Sequence, residues 1–174
     1  MGQPQILTGT ERRFAESDVI VSKTDTRGVI TYVNRTFMKI SGYAEADLLG
    51  KPHSILRHPE MPRAVFKLLW DMLGAGREVF AYVVNRCKNG DHYWVFAHAT
   101  PSYDKAGKVV GYHSFRRVPE RRIVDETIAP LYRQLLDEER RYPDRKEGLE
   151  RSHRMVADLL ASKGASYDRW IFSL

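Results

Sequence analysis

The run Arg57-His58-Pro59-Glu60-Met61-Pro62 is followed within helical reach by Phe66 and Trp70, and then by Asn85-Arg86-Cys87-Lys88-Asn89-Gly90. This stretch gathers a cation, an aromatic pair and a carboxamide, with apolar residues between them. Each type answers a separate chemical need. An apolar slot with an aromatic face suits a flat conjugated ring, a carboxamide offers donor and acceptor to the ring's polar edge, and an arginine suits a phosphate. The mixture fits a planar, electron-accepting cofactor that carries phosphates, with an isoalloxazine as its ring, better than it fits a catalytic triad or a metal.

Each residue also has a plainer role open to it. Phe66 and Trp70 lie four residues apart, so they share a helix face that either walls a ring or belongs to the core. Asn34 and Asn85 suit the ring's carbonyl and N–H edge, but Asn34 is equally placed to cap a helix. Arg57 either neutralises a phosphate or a reduced ring, or pairs with Glu60 on the surface. His58 has three roles open: a hydrogen bond to the cofactor, ligation of a heme, or the capping of a turn beside Pro59. Cys87 is the only cysteine, which excludes an intramolecular disulfide and a multi-cysteine zinc site within one chain and leaves a lone strand thiol. His92, Tyr93, Trp94 and His98 lie on one strand pattern, so they divide between two faces and read as sheet packing.

Elements must hold these groups in place, and the chain has length for one packed domain and an appendage: 174 residues, 43% hydrophobic and 29% charged. No apolar run approaches the roughly 20 residues of a bilayer span. The polar start Met1-Gly2-Gln3-Pro4 has no signal-peptide character, so a cytoplasmic location is expected. The formal charge of +6 is interleaved with acidic residues, and the densest basic group, Arg116, Arg117, Arg121 and Arg122, reads as a solvated linker rather than a nucleic-acid surface.

Residues 1–17 show no period and read as an N-terminal cap. Strands are expected at 19–24 and 29–34, joined by the turn Asp25-Thr26-Arg27-Gly28, and at 79–87, 92–102 and 109–117. Asn89-Gly90 and Ala106-Gly107 sit in the connecting turns. Short helices at 35–40 and 44–49 follow the first hairpin. A longer helix begins at Pro62, where a missing N–H does no harm, and ends at Gly74 and Gly76. From Pro119 onward the pattern is helical, restarted at Pro130, broken at Pro143 and resumed over 145–162. The apolar tail from Tyr167 to Leu174 is expected to pack on the domain or on a second subunit. The fold class is α+β, with five antiparallel strands, helices on one face, and a C-terminal helical extension.

The segment from Asp25 to Asn34, with Phe37 and Ser41-Gly42-Tyr43 after it, resembles the PAS family of sensory domains. The runs Arg57-His58-Pro59-Glu60-Met61-Pro62 and Lys88-Asn89-Gly90-Asp91-His92-Tyr93-Trp94-Val95 are similar to the PAS domain of bacterial aerotaxis receptors, over residues 18–140. The resemblance implies a PAS sensor at 18–118 and a helical extension at 119–174. It implies FAD held without a covalent bond by Asn34, Arg57, His58, Phe66, Trp70 and Asn85, with Glu60 near the same helix start. Glu60 stands where the family more often has Asp, and Phe80 where it has Trp. The receptors' membrane anchor and methyl-accepting region have no counterpart in the matched stretch, so the likeness speaks for the sensor and not for the pathway.

The expected function is therefore a cytoplasmic redox or oxygen-linked sensor, a homodimer that hands the flavin's state through its C-terminal helices to a signalling partner. Two alternatives stand beside it: a cofactor-free PAS docking or dimerisation module, and a heme-binding gas sensor. A separate substrate site and a G-x-G-x-x-G nicotinamide fingerprint are both missing from the sequence, so an enzyme is not expected.

Overall fold

The computed structural model describes residues 6–174, so the start of the expected N-terminal cap lies outside the described residues. Five strands form one antiparallel sheet: β1 (Ile20–Asp25), β2 (Ile30–Val33), β3 (Val79–Arg86), β4 (His92–Tyr103) and β5 (Val109–Arg117), in the order β2-β1-β5-β4-β3. Between β2 and β3 lie α1 (Arg35–Ser41), α2 (Glu45–Leu48), a 3-10 turn (His53–Leu56) and α3 (Arg63–Gly74). These pack on the sheet's inner face.

Strand period fixes which residues face those helices. Ser22 pairs with Ser114, Thr24 with Tyr112, and Arg116 with both Ile20 and Ala97. All of these share the inner face. Phe37, Leu48 and Leu56 close the layer from the helix side and are buried, each at about 1.5–3 kcal/mol of apolar burial.

The N-terminal segment is docked on the start of β4. Arg12 N donates to His92 O at 2.7 Å and His92 N donates to Thr10 O at 3.0 Å. Asp91 is the knot: Thr8 Oγ1 donates to its carboxylate at 2.6 Å, Arg12 Nε at 2.8 Å and Asn89 Nδ2 at 2.8 Å. These donors favour the ionised form and hold the Asp91 carboxyl down to about 2, against 3.8 for a free aspartate. A lowered folded-state value means that the network stabilises fully above the unfolded value and is lost as pH falls from about 4 toward 2. Asp91→Asn is expected to flatten the pH dependence of the urea midpoint in that window; an equally steep dependence in the variant would remove Asp91 as its source.

The C-terminal helices are α4 (Arg121–Ile123), a π turn (Val124–Ile128), α5 (Ala129–Arg141), α6 (Arg145–Ser162) and α7 (Tyr167–Ile171). Pro130 has no N–H to return to the carbonyl four residues back, and the turn before it widens to the π form. The helices start on the outer face, where the Tyr132 ring lies 6.0 Å from that of Trp94. They then close the exposed edge of β3: Tyr132 Oη donates to Tyr82 O at 2.5 Å and Tyr167 Oη to Phe80 O at 2.7 Å. These bonds occupy edge carbonyls that would otherwise template another strand. The apolar tail thus packs on its own domain, with Trp170 and Ile171 buried and Phe172 exposed.

On the far side of that edge, α5 reaches α3. Glu139 accepts from Arg63 Nε at 2.9 Å, Ala64 N at 3.0 Å and Ser152 Oγ at 3.2 Å. Pro62, at the N-cap of α3, offers no side-chain acceptor, so the orphan amide of the first turn is satisfied from another helix. Gly148 permits the close crossing of α5 and α6, since a Cβ there would lie 2.5 Å from Glu139 O.

Candidate functional site

A cavity of about 340 Å³ lies between the sheet's inner face and α3, at the lower end of the roughly 300–1,000 Å³ usual for small-molecule sites. α3 supplies an apolar wall of Phe66, Leu69, Trp70 and Leu73. Opposite it, Ala97 and Ala99 on β4 leave the space open, flanked by Val83 and Asn85 of β3 and by Tyr112, Ser114 and Arg116 of β5. Trp70 stands edge-on to Tyr112 at 5.3 Å. It can lie over the β1–β2 turn because Gly28 has no side chain; a Cβ there would meet the Trp70 ring at 3.3 Å, and Gly28 holds φ +77°.

The charged side chains that line the cavity have one sign, with Asp25 just outside it accepting from Arg27 at 3.1 Å. The lining includes Arg27, Arg57 and Arg116 and no carboxylate. Arg27 and Arg57 are exposed and sit at the open side. The Arg57 guanidinium lies 4.2 Å from the centre of the Phe66 ring, a cation–π placement, and it does not pair with Glu60.

Arg116 is the buried member, 5% exposed. One of its terminal nitrogens donates to Ser22 Oγ at 2.9 Å and to His53 Nε2 at 2.8 Å. Burial, and secondarily the Arg116 charge, pushes the His53 pKa down to about 3, while burial lowers Arg116 to about 10. His53 is therefore neutral, with Nε2 as acceptor and its proton on Nδ1. The other terminal nitrogen of Arg116 is buried without a partner, as is Asn85 Nδ2. Two polar groups of one cavity thus lack the partners that buried donors ordinarily have.

The expected site residues divide in two. Arg57, Phe66, Trp70 and Asn85 line the cavity. Asn34, His58 and Glu60 do not. Asn34 Oδ1 accepts from Phe37 N at 3.0 Å and Val21 N at 3.1 Å, and its Nδ2 donates to Val19 O at 2.7 Å. Those three bonds cap α1 and tie it to β1, which is the plainer of the two roles open to this residue. His58 is buried, accepts through Nδ1 from Glu60 N at 3.2 Å, and tilts against His92 at 5.5 Å. Glu60 points to solvent, its side chain 69% exposed.

Cys87 also lies away from the cavity lining. It is fully buried, its Sγ donates to Ile40 O at 3.3 Å, and burial pushes its pKa up to about 11. The reactive thiolate is suppressed. Iodoacetamide at pH 8 is expected to label it only when urea is present; labelling of the native protein at the denatured rate would contradict this placement.

The sequence profile of the PAS fold family matches residues 30–116, the span from β2 to the cavity's buried arginine. The chain belongs to the PAS fold family. Over 138 residues this PAS chain is 41% identical to the aerotaxis receptor of Escherichia coli, covering 78% of the chain and 26% of the receptor. It is 28% identical over 102 residues to the nitrogen fixation regulatory protein of Klebsiella pneumoniae, covering 59% of the chain and 21% of that protein. It thus spans about a quarter or less of these relatives. Among solved structures, the dark form of the blue-light photoreceptor Aureochrome1 LOV superposes with TM-score 0.57 at 22% identity, over 66% of this chain and 86% of that one. A light-oxygen-voltage domain studied with a flavin analogue gives 0.56 at 20% identity, over 67% and 87%. At these identities the likeness is one of fold.

Sequence reasoning assigned no site role to His53, Ser22, Tyr112 or Arg116. It placed Arg116 with Arg117, Arg121 and Arg122 in a solvated linker, and the structure corrects this: Arg116 is buried at the cavity. Arg121 pairs with Glu11 at 2.6 Å and Asp125 at 2.5 Å, and Arg122 with Glu120 at 3.3 Å. The available signal was parity, because Tyr112, Ser114 and Arg116 alternate on one strand and must share a face.

Proposed function

We propose that this PAS domain is a redox sensor that binds FAD non-covalently in the cavity and passes the flavin's state through its C-terminal helices to a signalling partner. The observation that carries the reading is the lining itself: aromatic and aliphatic walls, unpartnered donors on Asn85 and Arg116, and arginines with no carboxylate. That set suits an apolar, acceptor-rich ring joined to phosphates, and 41% identity to an aerotaxis receptor supports a sensor over a catalyst. Bound FAD would supply the electron-accepting chemistry.

The chain's own residues divide the remaining work. Phe66, Leu69, Trp70 and Leu73 exclude water and wall the ring, Asn85 donates to its polar edge, and Arg57 and Arg27 meet the phosphate-bearing arm at the open side. Asn34 supports the site by fixing α1 to β1. His58 and Glu60 shape the loop that carries Arg57. We place the domain in the cytoplasm as a homodimer, in keeping with a redox signal relayed to a protein partner.

The relay route is α3 to α5 and α6. α3 forms the cavity wall at one face and is held at its N-terminus by Glu139 of α5 and, through it, by Ser152 of α6. A redox signal leaves the domain only if the oxidised and reduced states favour different packings of that contact. Hydrogen exchange of the FAD-loaded protein in both states tests this. The expected result is a change of protection in α3 together with α5 and α6, and identical protection in both states would overturn the relay.

A further inference from the structure

We infer that Arg116, held by Ser22 and His53, forms an anion-recognising subsite that makes this cavity prefer the reduced, deprotonated flavin ring over the neutral oxidised one. The inference rests on the FAD reading and adds to it a charge-selective residue on the inner face of β5.

Arg116 is 5% exposed, faces a cavity whose lining has no carboxylate, and has one terminal nitrogen buried without a partner. A buried cation without a counter-charge is strongly disfavoured. Its neighbours do not supply that charge. Ser22 is a hydroxyl, His53 is neutral, and the Phe37 ring 5.6 Å from the guanidinium offers only a weak quadrupole contact. Burial raises the pKa of Tyr93, so it too stays neutral, and His113, whose pKa burial and then the nearby cations lower, adds no negative charge. The Ser22 and His53 bonds fix one side of the guanidinium and leave the other nitrogen free for a ligand.

The charge balance of the flavin supplies what the site lacks. The oxidised ring is neutral; two electrons from an external low-potential reductant and one proton to N5 give a reduced ring with one negative charge, its N1 deprotonated. A hydrogen bond to a charged acceptor is stronger than one to a neutral acceptor. The subsite therefore binds the reduced ring more tightly, and the midpoint potential of bound FAD rises by the same preference.

The test is potentiometric. FAD-loaded wild type, Arg116→Gln, Arg116→Lys and Ser22→Ala are titrated with dithionite against a reference dye, and oxidised FAD affinity is measured in parallel by fluorescence quenching. Losing a charge-assisted contact is expected to cost roughly tenfold to a hundredfold in preference for the reduced ring. At about 30 mV per tenfold for a two-electron couple, Arg116→Gln should lower the midpoint by about 30–60 mV, with oxidised affinity changed only a few-fold. Arg116→Lys should recover part of the shift, and Ser22→Ala should show a smaller shift in the same direction. If Arg116→Gln fails to fold, the Lys and Ser22 variants carry the test, and unchanged midpoints in both overturn the inference. Unchanged midpoint in a loaded Arg116→Gln protein does the same while leaving the FAD reading intact. Wild type that takes up no FAD overturns the FAD reading and this inference with it.

Discussion

Alanine at Glu139 is expected to lower the unfolding free energy by about 3 kcal/mol, the usual cost of breaking a buried, hydrogen-bonded ion pair from one side. The carboxylate is 6% exposed and has three donors from three places: the Arg63 side chain, the Ala64 amide and the Ser152 hydroxyl. Its removal leaves the first turn of α3 uncapped, because Pro62 cannot supply an acceptor, and leaves Arg63, partly buried, without its counter-charge. Glu139→Gln keeps the acceptor for Ala64 and loses the charge, so about 1 kcal/mol is expected for it. Urea denaturation gives both values; an alanine variant within about 0.5 kcal/mol of wild type, the scatter of an ordinary surface change, would show that α5 does not grip α3.

The second large effect is on binding. Ala99→Leu should weaken FAD by at least about a hundredfold, or roughly 2.7 kcal/mol, while leaving the fold in place. Ala99 lies on the inner face of β4, opposite Val79 and Ser114 in the ladder, and lines the cavity across from α3. In a filled core an added side chain strains the backbone, but here it enters open space and takes the volume that a ring would need. A small change in melting temperature with lost binding is the expected pair of results. Undiminished affinity would place the ligand elsewhere on the molecule.

These two sites show how legible the chain is. The strands and α3 follow from period two, from Asn89-Gly90 and from the Pro62 and Gly76 punctuation, because local backbone rules decide them. Phe66, Trp70, Arg57 and Asn85 are brought to one cavity from a loop, a helix and a strand that sequence patterns already separated. What escaped were the long-range partners. The pairing of β5 with β1 and β4 turns Arg116 inward, and nothing within Arg116-Arg117 says which arginine is buried; only the strand's parity does. Glu139 was hidden among the charges of Asp137-Glu138-Glu139-Arg140-Arg141, where one carboxylate of three meets a helix start some 75 residues away. Asn34 had two roles open, and its three backbone bonds give it the capping role.

The most direct test of the central claim is the absorption spectrum of the freshly purified protein before and after dithionite, with the released cofactor identified by mass. Twin flavin bands that bleach on reduction, and a released mass equal to that of FAD, are the expected result. A Soret band, or a spectrum that stays featureless after incubation with FAD, would contradict the account.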